Sequence, residues 1–331
     1  MSEMPVYRLY IDGAWREASG GECFDSVNPA TGEPWARMPA AGEDDVELAV
    51  SAASRALFDG PWSRMTATGR GKLLRRLADL IEANAERLGD IETIDSGKLA
   101  RETRSQTRYV ADYYHYYAGL ADKIQGATLP IDKPDMHVFT TREPIGVVAA
   151  IVPWNAQMFL SATKLGPALA AGNTVVVKAS EDAPAPMFEF ARLVDEAGFP
   201  PGVVNVITGF GEPCGRALTS HPDVARVAFT GGPETARRVI ENTARNFAVT
   251  SLELGGKSPI VVFDDADIEG AVNGLIAGNF GATGQSCVAG SRVFLHRRVH
   301  DRILEKLVAR SETIRIGDPL DDATDMGPLA T

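Results

Sequence analysis

Between Arg70 and Leu88 the apolar residues Leu73, Leu74, Leu77, Leu80, Ile81 and Leu88 recur at helical spacing, with arginines, acids and Asn84 between them. Residues three and four apart share one helix face, so this pattern predicts an amphipathic helix over 70–88 lying on a larger body. From Ile145 the texture changes to short β-branched runs, "IGVVAAIV", "NTVVVK", "GVVNVI", "VAFT" and "VTSLEL". Helix-like stretches near 160–171, 184–197, 212–220 and 233–244 separate them. Continuously apolar strands alternating with helices mean a parallel sheet covered on both faces. The expected fold class is α/β, with a doubly wound, Rossmann-like parallel sheet. Helix ends carry the matching punctuation: Gly198 precedes Pro200 and Pro201, and Pro233 stands just inside a helix start. The segment "KIQGATLPIDKPDMHVFTTREP" at 123–144 bears prolines and partly alternates, which predicts a hairpin leaving the body. After Glu253 further βα units open with "PIVVF" and continue through "SRVFLH" and a helix-like 299–314. A second, incomplete α/β domain is therefore expected over 255–331, beside a sheet body made of 1–122 and 145–254.

Composition narrows the function. With 331 residues, 44% of them hydrophobic and 23% charged, the chain can bury a substantial core. The formal net charge of −11 repels phosphate backbones and anionic membrane surfaces, and no basic cluster reverses this locally. Neither a nucleic acid nor a membrane is expected as a partner. The opening "MSEMPVYRLYIDGAWRE" lacks the apolar core and cleavage site of a signal peptide, and the longest apolar run, around Ile145 to Trp154, is too short to span a bilayer. A cytoplasmic location is expected. Cys23, Cys214 and Cys287 are odd in number, widely spaced and without a CxxC, so each reads as a free thiol. His296 and His300 have the spacing of a helical metal pair, but the first follows a strand-like run and no third ligand accompanies them. No metal site is expected.

In a doubly wound sheet, ligands bind beyond the carboxyl ends of the strands, which makes the residues there the candidates. "GFGEPCG" (Gly209, Gly211, Gly215) and "FTGGPETA" (Gly231, Gly232) each join a strand to a helix. Either can aim backbone N–H groups at a phosphate, or be a turn and nothing more. After "NTVVV" come Lys178 and Glu181; a strand-end acid can accept from both ribose hydroxyls, or be a solvated charge. Asn155 in "VPWNAQ" offers an amide to a developing oxyanion, or caps a helix. Cys287, set among small residues in "GATGQSCVAGSR", is a nucleophile or an inert thiol. Glu253 is a general base, or the partner of a cation such as Lys257. The aromatic run "DYYHYYAG" at 112–119 reads as a core or interface face.

Taken together, "PWN", "KASE", "GFGEPCG", "FTGG", "LELGGK" and "GQSCVAGSR" closely resemble the signatures of the aldehyde dehydrogenase superfamily. The likeness runs from "YIDGAWRE" and "NPATGE" to "MGPL", with Cys287 standing 34 positions after Glu253. It implies a dinucleotide-binding domain (1–122 and 145–254), an oligomerisation arm (123–144) and the first part of a catalytic domain (255–331). It further implies Cys287 as nucleophile, Glu253 as base, and Asn155 with the Cys287 N–H as the oxyanion hole, with Lys164 near them. Lys178 and Glu181 would hold the adenosine ribose. Trp154, Ser180, Gly211, Gly215, Gly231, Gly232 and Leu254 would complete the site for the cofactor, NAD in preference to NADP. The implied activity is NAD-dependent oxidation of an aldehyde to a carboxylic acid in a homo-oligomer, with Tyr109 and Tyr113 bordering the substrate entrance. Glu253 supplies the base for hydrolysis, which sets a CoA-acylating relative aside. Three departures stand out: Ala156-Gln157 where many relatives have Phe-Pro, Gly232 where some have serine, and an end at Thr331, about a third short of the usual length. The alternative expectation is accordingly a non-catalytic chain that at most binds nucleotide.

Overall fold

The computed structural model describes residues 4–331. Two hairpins come first, β1 (Leu9–Ile11) with β2 (Ala14–Arg16) and β3 (Cys23–Asn28) with β4 (Glu33–Pro39). Four helices follow: α1 (Glu43–Phe58), α2 (Ala67–Ala83), α3 (Ala85–Ser96) and α4 (Ala100–Leu120). A short hairpin, β5 (Thr128–Leu129) with β6 (Val138–Phe139), precedes the alternating part of the chain. That part runs β7 (Val147–Ile151), α5 (Gln157–Ala170), β8 (Thr174–Ala179), α6 (Ala185–Ala197), β9 (Val204–Thr208), α7 (Arg216–Ser220), β10 (Val224–Gly231), α8 (Pro233–Thr243) and β11 (Val249–Leu254). Last come β12 (Pro259–Val262), α9 (Ile268–Phe280), β13 (Arg292–Leu295) and α10 (His300–Ser311).

The main sheet has the order β11-β10-β7-β8-β9-β1-β2. Strands β7 to β11 are mutually parallel; β1 joins antiparallel to β9 through Tyr10 and Val206, and β2 forms the far edge beside it. Successive side chains of a strand point to opposite faces, and both faces are buried here. Val148, Ala150, Val175, Val177, Val204 and Val206 enter one core, with Leu74, Leu77 and Ile81 of α2 and Phe188 and Phe190 of α6. Val147, Ala149, Val176 and Ile207 enter the other, with Val46, Ala49 and Val50 of α1 and Val239 of α8. Each fully buried aliphatic side chain of this kind stabilises the fold by about 1.5–3 kcal/mol. This two-sided burial is why the strands read as largely apolar runs.

The predicted helix over 70–88 is divided. α2 ends at Ala83, and Leu88 belongs to α3. Asn84 makes the break: its backbone leaves the helical region (φ −107, ψ 11) while its amide donates to the Leu80 carbonyl at 2.8 Å. The predicted helix over 212–220 is also shorter. Gly211–Gly215 forms a wide turn in which Glu212 is extended, because two glycines and Pro213, which lacks an N–H, do not sustain the ladder. Parallel strands β12 and β13 pair apart from the main sheet, and α9 and α10 cover one face through Val262, Val272, Leu275, Val299 and Ile303. The other face leaves Val261 and Phe294, paired across the two strands, exposed. Among the described residues, no helix is long and apolar enough to cross a membrane.

Candidate functional site

Reading the sheet order outward from β7, the chain first builds toward β8 and β9, then returns to add β10 and β11 on the other side. The reversal lies between β7 and β10, and the crevice beyond their carboxyl ends is where a doubly wound sheet takes ligands. Five strand ends deliver the predicted residues to this edge: Trp154 and Asn155 follow β7, Lys178 lies at the end of β8 with Ser180 and Glu181 after it, Gly211 and Gly215 follow β9, Gly231 ends β10 with Gly232 after it, and Glu253 with Leu254 closes β11. Register places Glu253 opposite Thr230 and Leu254 opposite Gly231.

One cleft of about 320 Å³ is lined by Trp154, Lys178, Ser180, Glu181, Gly211, Gly215, Gly231 and Gly232. Lys178 is only 4% exposed. Its ammonium donates to Glu181 Oε2 at 3.2 Å and to the Ala179 carbonyl at 3.3 Å. The pair is therefore part of the cleft wall rather than two solvated charges. α8 begins at this wall without a side-chain cap, so its first N–H groups and the positive end of its dipole face the cleft. Space around Gly232 is open, whereas a Cβ on Gly231 would meet the Phe229 ring at 2.5 Å. The backbone at Gly231 and Gly232 thus stands bare along the cleft, as a glycine cradle.

A second cleft of about 480 Å³ shares Pro153, Trp154, Thr230, Gly231 and Gly232 with the first and adds Asn155, Glu253 and Cys287. Cys287 and Glu253 also line a third hollow, of about 720 Å³, together with Thr163 and Lys164. The thiol and the carboxylate therefore stand together between two openings. Cys287 is exposed. Its neighbours Gly284, Ser286 and Ala289 line the second cleft and leave it accessible. Asn155 does not cap α5, whose N-cap is Ala156. Its amide donates to the Gln285 carbonyl at 2.9 Å, two residues before Cys287. Leu254 is exposed and lies outside both clefts. Tyr109 and Tyr113 of α4 pack on Phe159 of α5, with ring centroids at 5.9 and 5.7 Å.

Lys164 reaches up from α5, and its Nζ lies 2.5 Å from Thr230 Oγ1. Burial pushes its ammonium down to about 8, and the attraction of Glu253 opposes the shift. A lysine depressed in the folded state disfavours folding while it is protonated, and that penalty is relieved as pH rises from about 8 toward the unfolded value near 10.5. Stability of the wild type should therefore climb with pH across that window relative to Lys164→Met. Thermal unfolding of both proteins from neutral pH to pH ~10 checks this, and parallel curves would rule it out.

Sequence reasoning passed over Arg216, Thr235, Arg238 and Asn242, which also line the first cleft. The last three fall at i, i+3 and i+7 on α8, a polar stripe that the helical period could have exposed. Arg216 is held by Glu212 at 2.7 Å and by Glu43.

The fold is thus a doubly wound α/β sheet with an exposed thiol and a carboxylate lining one cleft at its switch point. The chain belongs to the aldehyde dehydrogenase family, whose model matches residues 15–331. It is 60% identical over 328 residues to a (Z)-2-((N-methylformamido)methylene)-5-hydroxybutyrolactone dehydrogenase of Acinetobacter baylyi, covering 99% of this chain and 67% of that protein. It is 45% identical to a hydroxyisobutyraldehyde dehydrogenase of Mycolicibacterium austroafricanum, over 98% of this chain and 64% of that one. Among solved structures, the NAD+ complex of an aldehyde dehydrogenase from Bacillus cereus superposes with a TM-score of 0.97 at 40% identity, covering 99% of this chain and 67% of that one. The chain thus spans about two thirds of the length of these relatives.

Proposed function

We propose that this protein oxidises an aldehyde to a carboxylic acid, with NAD as hydride acceptor and Cys287 as nucleophile. The observation that carries the proposal is the shared wall: Cys287, Glu253 and Asn155 line a cleft that has Pro153, Trp154, Thr230, Gly231 and Gly232 in common with the cleft of the Lys178–Glu181 pair. The donor set suits a dinucleotide. Backbone N–H groups at the start of α8 suit the pyrophosphate, and Glu181 suits ribose hydroxyls.

The Cys287 thiolate adds to the carbonyl carbon, and the new oxyanion is held by the Cys287 N–H and the Asn155 amide. A carbonyl carbon does not readily release hydride, but this tetrahedral adduct does. Its collapse expels a hydride, which the nicotinamide accepts when bound, and leaves a thioester on Cys287. Glu253 then takes a proton from water, the hydroxide attacks the thioester, and the acid leaves as the thiolate returns. In this reading residues 1–122 and 145–254 hold the dinucleotide, 123–144 form an arm between subunits, and 255–331 carry the nucleophile, with residues 1–3 outside the described structure. A 5-hydroxybutyrolactone is the ring-closed form of an aldehyde acid, so the Acinetobacter relative's name fits the same thiol chemistry. Compounds of that class belong in the substrate panel.

Aldehyde-dependent appearance of NADH absorbance tests the proposal. NAD binding without any such signal, across a broad aldehyde panel, would favour a nucleotide-binding role instead. Cofactor choice is separately testable. Glu181 repels a 2′-phosphate and occupies the Lys178 ammonium, so Glu181→Ser should raise the NADP-to-NAD ratio of kcat/KM by roughly tenfold, equivalent to about 1.4 kcal/mol. An unchanged ratio would refute this role.

A further inference from the structure

We propose that Glu102 is a positioning residue for the nucleophile: from the first turn of α4 its carboxylate holds the loop 282–287 in a left-handed turn that sets where Cys287 stands. The inference rests on the assignment of Cys287 as nucleophile.

After α9 ends at Phe280, Ala282 and Thr283 adopt φ values of 51 and 58 in succession, followed by Gly284 at 71. Single left-handed residues other than glycine are uncommon, and two in a row persist only where the surroundings over-determine them. Glu102 supplies that constraint. The Ala282 N–H donates to both carboxylate oxygens, at 3.3 and 3.2 Å, across 180 residues of sequence. A hydrogen bond to a charged acceptor is stronger than a neutral one. The turn is then closed by the Gln285 N–H donating to the Ala282 carbonyl at 3.0 Å.

Everything downstream hangs from this turn. The Gln285 carbonyl accepts from Asn155 at 2.9 Å, and its side-chain Oε1 accepts from the Ala330 N–H at 2.9 Å. Gly290 N–H donates to the Gly278 carbonyl at 3.0 Å. Cys287 lies between these anchors with an exposed side chain. Lys98, which precedes α4, does not compete for Glu102: its buried ammonium is engaged by Glu92 at 3.0 Å and Gln106 at 2.9 Å. A hollow of about 180 Å³ joins Lys98, Glu102 and Gln106 to Asn155, Gln285 and Ser286. The carboxylate therefore couples α4 to both the thiol loop and the oxyanion amide.

The test is a quenched single turnover with NAD and aldehyde, in which the acyl adduct is located by mass on the peptide containing Cys287. Glu102→Ala should slow adduct formation on the order of 10²-fold, with the dissociation constant for NAD unchanged. Glu102→Gln keeps a carbonyl acceptor and should stay within roughly fivefold of wild type. Adding Ala282→Gly to Glu102→Ala should recover much of the rate, because glycine takes the left-handed conformation without the steric penalty. A purely structural role for Glu102 would not give that recovery. Should Glu102→Ala fail to fold, Ala282→Val strains the same turn from the loop side and should show the same loss of acylation with NAD affinity intact. Adduct formation at the wild-type rate in whichever of these two variants folds overturns the positioning role. Absence of any adduct on Cys287 in the wild type would instead overturn the nucleophile assignment beneath it.

Discussion

Replacing the Cys287 sulfur with oxygen, as Cys287→Ser, should reduce turnover by a factor on the order of 10³–10⁶ while leaving NAD affinity within a few-fold of wild type. The two effects separate because the thiol lines the second cleft and not the first, where the Lys178–Glu181 pair and Gly231–Gly232 lie. A serine hydroxyl at neutral pH is almost wholly protonated, whereas a few per cent of an ordinary thiol is ionised and the thiolate is intrinsically nucleophilic. Glu253 in reach does not remedy this, since a carboxylate is a poor base for an aliphatic alcohol. The measurement is steady-state NADH production beside a binding titration that follows the fluorescence of Trp154, which borders both clefts. Turnover within tenfold of wild type would remove Cys287 from the mechanism.

Glu253→Gln should behave differently. The shape of the side chain is kept and only its basicity is lost, so the first half of the reaction should proceed and thioester hydrolysis should slow by about 10²–10⁴-fold. Rapid mixing with NAD and aldehyde would then show a burst of NADH near one equivalent per site, followed by a depressed steady rate. Wild-type steady turnover would assign the base to another group. A second readout comes from Lys164, whose ammonium Glu253 favours against burial. Losing that carboxylate should move the lysine further down, and with it the pH window in which stability rises.

Most of the sheet was legible because its cause is local: a strand buried on both faces must be mostly apolar, and β7 is so throughout while β8 and β9 are interrupted only by Thr174, Lys178, Asn205 and Thr208. The break at Asn84 was not, because it turns on one side-chain amide capturing the Leu80 carbonyl within an otherwise regular apolar stripe. The strand-end residues were legible as a set, since fold class alone says where ligands lie, yet their relations were not. Nothing in "VPWNAQ" shows that Asn155 bonds the Gln285 carbonyl 130 positions later. The buried state of Lys178 likewise depends on packing between strands that lie far apart in the chain. Glu102 left no trace in the sequence, because an acid in the first turn of a helix already has an ordinary explanation in the helix dipole.

The three cysteines occupy three different surroundings, and this makes the protein its own labelling scaffold. Cys214 is fully buried, and burial pushes its thiol up to about 11 against the pull of Lys178. Cys23 is exposed on β3, in the hairpin with β4. A single exchange, Cys23→Ser, would thus leave Cys287 as the one accessible thiol, so that a small fluorophore or spin label would attach there without further engineering. An environment-sensitive probe at that address would report directly on ligands entering the crevice, including those that never react.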